Sequence, residues 1–208
     1  MSEPGGSRSL LQFVVAFAVG VLGYTFGIEI GAVLLVVMAL VWPPRGRWLP
    51  LPCGRVLGAY GPFAVVWLLF TIGYLQVMHA VDATVLPQPA LARLAAEGMA
   101  MPGATALVFA IVVLGPVAEE ILFRGYLFAA LEQRLSGVAT QLVTAALFGL
   151  VHGPDYALPI GVLALLFGWL RARYGSLLPS ILAHAVHNGL TVAITLLWPG
   201  HLELLYPR

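Results

Sequence analysis

The chain has no lysine, a single cysteine and only 9% charged residues among 208. The lone Cys53 excludes an intrachain disulfide and a cysteine metal cluster. All ten basic residues are arginine, which reflects codon composition in a GC-rich genome rather than chemistry. There is no basic tail or aromatic–basic patch, so nucleic acid is not indicated. The net charge of +1 says nothing about partners. No repeat of fixed period and no low-complexity segment is present. The scarcity of charge decides the class. A soluble domain is about 25% charged and about 45–50% apolar, whereas this chain is 61% hydrophobic with mean hydropathy +0.97. It reads as a polytopic integral membrane protein.

A helical span needs about 20 apolar residues, within a range of roughly 17–25. Residues 9–25 and 28–43 give two short spans, joined as a tight hairpin or as one long bent helix. The first follows Arg8 as a signal peptide would, but no small-residue cleavage motif comes after it, so a retained span is expected. Gly27 and Gly31 have the small-xxx-small spacing that lets helices approach closely. Around residues 44–55 the run PPRGRWLPLPCG can only be a loop. Residues 56–80 give a third span, and 82–103 a polar loop with one short amphipathic turn. Residues 104–134 read as one long helix, followed by short spans at 138–153, 157–172 and 176–198. The expected architecture is all-α: a bundle of about seven spans around a polar intramembrane cavity.

Alternating spans put Arg8, Arg45, Arg47, Arg55, Arg134, Arg171 and Arg173 on one side and leave Arg93 and Arg208 on the other. The positive-inside rule makes the first side cytoplasmic, with the N-terminus inside. A prokaryotic plasma membrane is the expected location.

Against this apolar background the polar residues stand out. Glu119 and Glu120 are adjacent inside an apolar stretch, with Arg124 one turn later. A carboxylate at the centre of a span costs roughly 2.5–3.5 kcal/mol on insertion scales, and such groups mark functional sites. Glu120 and Arg124, at i,i+4, can pair on one helix face. Successive residues lie about 100° apart, so Glu119 points elsewhere and is left without an intrahelical partner. A desolvated carboxylate of that kind suits a general base. The plain alternative is an ion pair clamping helices, with Glu119 facing a loop.

A second element, Phe148 to His152, places a histidine at i,i+4 just before Gly153 and Pro154 end the helix. A third, HAVHN, puts His184 and Asn188 on one face, with His187 about 60° off that line. Buried imidazoles and amides need hydrogen-bond partners, because lipid offers none. Singly, each element could be an interfacial residue or a polar clamp. Together, Glu119, His152, His184 and Asn188 lie on three helices that can converge. A carboxylate and an imidazole can deprotonate a water, while a second imidazole and an amide can stabilise the resulting oxyanion. Alternatively Glu119, His152 and His184 could hold a zinc ion with an open position. Both routes lead to amide hydrolysis within the membrane.

In this order and spacing, Glu119-Glu120-xxx-Arg124, Phe148-xxx-His152 and His184-xxx-Asn188 resemble the EExxxR, FxxxH and HxxxN motifs of the CAAX prenyl protease and bacteriocin-processing (CPBP, or Abi) family. The resemblance covers about residues 104–195. It implies N-terminal spans and loops in 1–103 and a catalytic transmembrane core in 104–208, with a cavity open toward the cytoplasm. It implies that Glu119 and His152 activate water, that His184 and Asn188 stabilise the oxyanion, and that Glu120 and Arg124 support them, as does Phe148. His187 is an extra histidine outside the pattern. No cofactor is favoured, because Asn188 is a poor zinc ligand but a good oxyanion donor; zinc is the alternative.

The expected activity is therefore intramembrane endopeptidase cleavage. The substrate would be a lipidated protein or a membrane-associated, bacteriocin-like peptide, and the other partner is the lipid itself. A catalytically silent immunity or scaffold protein of the same fold is the first alternative. A proton-coupled transporter is the second, although no inverted repeat supports it. One constraint follows from depth. A fully crossing 138–153 helix would set His152 roughly 10 Å away in depth from His184. The motif set therefore requires that helix to be short and tilted, or not to cross fully.

Overall fold

The computed structural model describes residues 4–44, 48 and 51–206. Arg45, Arg47 and Arg208 of the orientation argument lie outside the described residues. The described residues form helices and their connections: α1 (Pro4–Phe26), α2 (Ile28–Val41), α3 (Cys53–Ala80), α4 (Pro89–Glu97), α5 (Ala104–Leu131), α6 (Gly137–Leu150), α7 (Ala157–Tyr174), α8 (Leu178–Leu197) and α9 (His201–Leu205). Four of these, α3, α5, α7 and α8, are long and apolar enough to cross a membrane. Shorter apolar segments occupy 7–23 in α1, 29–41 in α2 and 137–150 in α6.

The first two helices form a hairpin rather than one bent rod. Gly27 breaks the chain at φ 139°, a backbone conformation that costs an L side chain but not glycine. The close approach then falls on Gly23 and Gly31, where a methyl on Gly23 would lie 2.5 Å from the Gly31 Cα. Of the expected glycine pair, Gly31 is the contact and Gly27 is the hinge.

Helix α5 sits at the centre. Ala16 of α1 and Leu35 of α2 pack with Ile121, Phe123 and Tyr126 of α5 and with Phe148 of α6. A second cluster joins Val56 and Tyr60 of α3 to Phe167 and Leu170 of α7 and Ala183 of α8. The outward faces are apolar. On α3, Val65, Val66, Leu68 and Leu69 are all exposed, as a lipid-facing surface requires. Arg171, counted above with the cytoplasmic arginines, is instead 6% exposed. Its Nε donates to the Arg124 carbonyl at 3.2 Å, so it braces α7 against α5.

Helix α6 is short for a reason visible at both ends. The Ser136 hydroxyl caps it, accepting from the Ala139 amide at 3.3 Å, and Gly153 and Pro154 follow its last turn. Its 14 residues rise about 21 Å, less than a hydrocarbon core of about 30 Å. His152 lies in the turn just beyond it. His152 and His184 nonetheless reach the same carboxylate, that of Glu119, at 3.6 and 3.8 Å, so the depth mismatch expected for a fully crossing 138–153 helix is absent. Helices α6 and α7 pack closely through Gly149, where an added Cβ would run into the Ala157 carbonyl and sit 2.9 Å from the Gly161 nitrogen.

Replacing Gly149 by alanine should therefore strain this contact and lower stability by about 1–3 kcal/mol, the usual cost of overpacking. Gly58→Ala, where a methyl meets open space, should have no such effect. Melting of the two variants in one detergent checks this, and equal midpoints would refute the close α6–α7 approach.

Candidate functional site

Both glutamates come from the middle of α5, but their surroundings differ completely. The helix is widened into π-helical turns at Ala110–Leu114 and Ile121–Leu127, on either side of Gly115–Glu120. Such turns recur at functional sites because they shift side chains around the axis and loosen backbone bonding. Glu120 and Arg124 are both fully buried, and Glu120 Oε1 accepts from Arg124 Nη1 at 3.1 Å. The other arm, Nη2, donates to the Ala164 carbonyl of α7 at 3.0 Å. The guanidinium also lies over the Phe148 ring, 4.4 Å from its centroid. Cation, carboxylate, carbonyl and aromatic ring thus meet where α5, α6 and α7 touch.

Glu119 points elsewhere and stays about a quarter exposed, at 26%. Its Oε2 faces two imidazole nitrogens, His152 Nε2 at 3.6 Å and His184 Nε2 at 3.8 Å. What holds each ring is clear from its other nitrogen. His152 Nδ1 is 2.7 Å from the Phe148 carbonyl, which can only accept, so Nδ1 carries the hydrogen. That bond also satisfies one of the free carbonyls at the end of α6. His184 Nδ1 is 3.0 Å from Glu120 Oε1. Glu120, ionised against Arg124, also only accepts, so this Nδ1 carries a hydrogen too. The Phe167 ring stacks on His184 at 4.7 Å and 19°. Both histidines therefore turn Nε2 toward Glu119. Phe148 serves twice, its ring under Arg124 and its carbonyl on His152.

Asn188, one turn along α8 from His184, donates through Nδ2 to the Ile111 carbonyl at 2.9 Å. That carbonyl belongs to the first π-helical turn of α5, so one amide hydrogen ties α8 to α5 and the second remains. His187 faces α3. Its Nδ1 is 3.2 Å from the Tyr60 hydroxyl, and its ring meets Trp67 edge-on at 4.5 Å. It has different partners from His184 yet lines the same space.

That space is a cavity of about 290 Å³, with Glu119, His152, His184, His187 and Asn188 in its wall. A second cavity of about 310 Å³ shares Glu119 and His152 and is otherwise apolar, formed by residues such as Phe17, Leu35, Leu122 and Phe123. The carboxylate and one imidazole thus stand between two chambers. The four residues singled out from the motifs come together here. Sequence reasoning missed the contribution of α3: Tyr60, Trp67, Thr71 and Tyr74 repeat at intervals of seven, four and three, a polar and aromatic stripe down one face of an apolar helix. That periodicity was the available signal.

Glu119, His152 and His184 are the side chains that would ligate a metal, and their donor types suit zinc. Among the described residues, however, no group of three or more His, Cys, Asp or Glu side chains is arranged to hold a metal ion.

Residues 101–190 match the family model described as "Type II CAAX prenyl endopeptidase Rce1-like". The chain is 31% identical over 85 residues to the "Putative membrane peptidase YdiL" of Bacillus subtilis (strain 168). That match covers 40% of this chain and 35% of the relative, so the chain spans about a third of the relative's length. No solved structure matches.

The buried Glu120–Arg124 pair gives a stability test. Removing one partner strands the other charge, at a cost of roughly 3–5 kcal/mol. Glu120→Ala and Arg124→Ala should both melt well below the parent in detergent, while Glu119→Ala should not. Stable Glu120→Ala and Arg124→Ala proteins beside an unstable Glu119→Ala would invert the assignment of the two carboxylates.

Proposed function

We propose that this chain, whose residues 101–190 match the type II CAAX prenyl endopeptidase Rce1-like model, is an intramembrane endopeptidase of the CPBP family in which Glu119 and His152 activate a water against a peptide carbonyl. The observation that carries the reading is the meeting of Glu119 Oε2 with the His152 and His184 Nε2 atoms, at 3.6 and 3.8 Å, among membrane-spanning helices. These gaps exceed a direct hydrogen bond. A water at about 2.8 Å from each group would bridge them. Glu119 and His152 Nε2 are both acceptors, so such a water gives one hydrogen to each and keeps a lone pair for the carbonyl carbon.

On this reading Glu119 takes a proton from the water as the oxygen attacks the carbonyl. The C–O bond forms and the carbonyl electrons move to an oxyanion. The same proton then passes to the leaving amide nitrogen as the C–N bond breaks. The oxyanion is met by the second amide hydrogen of Asn188 and by His184. For His184 to donate from Nε2 while Nδ1 donates to Glu120, the ring must carry both protons.

The same reading takes the three shorter apolar helices as spans, which gives seven. It places the N-terminus and the mouth of a polar cavity on the cytoplasmic side of a prokaryotic plasma membrane. The substrate is a peptide segment at the membrane, carried by a lipidated protein or a bacteriocin-like peptide. Its apolar part lies in the chamber beside Leu35 and Phe123 and its scissile bond at Glu119. Residues 1–103 are then the scaffold of the catalytic part in 104–208, and no metal takes part.

Glu119→Gln keeps the shape but cannot accept the proton, so cleavage should fall about 10²-fold or more while the protein stays folded. His184→Ala and Asn188→Ala should each lose about 10²–10³-fold, the usual effect of deleting an oxyanion donor. Cleavage of one membrane peptide at matched protein levels checks all three, and near-native turnover by Glu119→Gln would falsify the base assignment. Chelator should leave activity intact. Stoichiometric zinc, with activity lost to chelator and restored by metal, would replace the metal-free route.

A further inference from the structure

Two hydroxyls beside the catalytic cavity are used by nothing in the protein. Thr71 Oγ1 and Tyr156 Oη are buried and have no hydrogen-bond partner. Both residues line the cavity that contains Glu119, His152 and His184. A threonine hydroxyl inside an apolar helix ordinarily bonds the carbonyl one turn back. Thr144, Thr191 and Thr195 all do so here, and Thr71 does not. In a membrane protein an unpaired buried hydroxyl is costly, and these two, unlike Thr140 Oγ1, belong to residues that line a cavity.

They also belong to one seam. Trp67, one turn before Thr71, donates through Nε1 to the Pro159 carbonyl at 2.8 Å. Tyr74, three residues after Thr71, donates through its hydroxyl to the Asp155 carbonyl at 2.8 Å. These two bonds pin α3 to Asp155 in the α6–α7 connection and to Pro159 in the first turn of α7, on either side of Tyr156. Burial, then the neighbouring Tyr206 and Asp155, push the Tyr156 pKa above the usual tyrosine range, so it remains an O–H donor. The helix that carries Thr71 lies outside the 101–190 family match.

We propose that Thr71 and Tyr156 bind the substrate's peptide backbone, their hydroxyls donating to carbonyls of an extended, uncharged segment laid beside Glu119 and His152. The inference rests on the peptidase reading and names what that site holds. An extended peptide entering a water-poor cavity brings carbonyl and amide groups that must be paired. Neutral hydroxyls can pair them without a counter-charge and without regard to side-chain identity. The two residues grip the chain, while the apolar chamber on the other side of Glu119 receives apolar groups.

The test uses Thr71→Val and Tyr156→Phe, which delete the hydroxyls and keep the shapes. Thr140→Val is the control: its Oγ1 is also buried without a partner, but it stands on α6 and does not line the cavity. The probe is an end-capped, internally quenched peptide of alanine and leucine in detergent micelles. Its cleavage is measured with the parent background. Its binding, as a fluorescently labelled copy, is measured with the Glu119→Gln background. Each hydroxyl deletion should raise KM and weaken binding about 3–10-fold, the worth of one neutral hydrogen bond, with a smaller change in kcat. Melting temperatures should hold or rise, since an unpaired polar group is removed. Thr140→Val should change neither KM nor affinity.

Parental KM and affinity in both Thr71→Val and Tyr156→Phe would overturn the proposal, as would an equal loss in Thr140→Val. A lower melting temperature with unchanged KM would make the hydroxyls structural and would also overturn it. The two readings separate cleanly. Binding that weakens in the variants of a parent that never cleaves keeps the backbone site and rejects the peptidase. Cleavage lost in Glu119→Gln, with the hydroxyl variants silent, keeps the peptidase and rejects the backbone site.

Discussion

One oxygen, Glu120 Oε1, organises the bundle. It accepts from Arg124 Nη1 at 3.1 Å and faces His184 Nδ1 at 3.0 Å, in a residue with no solvent exposure. A carboxylate taken out of water needs excellent partners to be tolerated. Here the partners come from different helices, and each is fixed in turn. Arg124 reaches on to the Ala164 carbonyl and the Phe148 ring. Phe148 in turn offers its carbonyl to His152. The orientations of both histidines thus descend from a single buried charge. On the peptidase reading, the carboxylate that does no chemistry places the groups around the one that does.

The contrast between the two glutamates is a matter of one residue of rotation. About 100° around α5 separates a fully buried side chain from one that faces a cavity. Glu120 is committed on its own helix to Arg124, so Glu119 is left with only imidazoles, across gaps that a small molecule can occupy. The π-helical turns on either side make the local geometry possible. They widen α5 on both sides of the segment that presents the carboxylates; the Gly115 amide bonds the Ala110 carbonyl and Pro116 has no N–H, which leaves the Ile111 carbonyl to the Asn188 amide.

The core of the site was legible because its signals are local or chemical. EExxxR and HxxxN state i,i+4 neighbours outright, and ionisable groups stand out against an apolar background. The all-helical class followed from hydropathy. What was not legible depends on distant partners. The hairpin used Gly23 against Gly31, because Gly27 was needed for a positive φ at the turn. His152 seemed too deep to meet His184, yet both reach Glu119. Arg171 looked like a surface anchor but is buried against α5. The face of α3 escaped notice because a tyrosine, a tryptophan or a threonine in a span is unremarkable until the helix opposite is known.

The remaining asymmetry is in what the bundle leaves unpaired. Lipid cannot hydrogen-bond a polar group, so a membrane protein must pair each one internally or line a cavity with it. Six buried side-chain atoms lack a partner among the described residues. Glu120 Oε2 and Arg124 Nε belong to the charge cluster, where the same two side chains are already bonded through other atoms. Thr140 Oγ1 stands alone on α6. The other three, Glu119 Oε2, Thr71 Oγ1 and Tyr156 Oη, all belong to residues of the one cavity. The opposite chamber shares Glu119 and His152 but is walled mainly by apolar residues. A peptide has the same two kinds of surface, a backbone that demands hydrogen bonds and side chains that can do without them. A site that cleaves peptides inside a membrane must separate those demands within a few ångströms of the scissile bond. On the peptidase reading, Glu119 stands at that division, between a chamber with unpaired donors and a chamber with none.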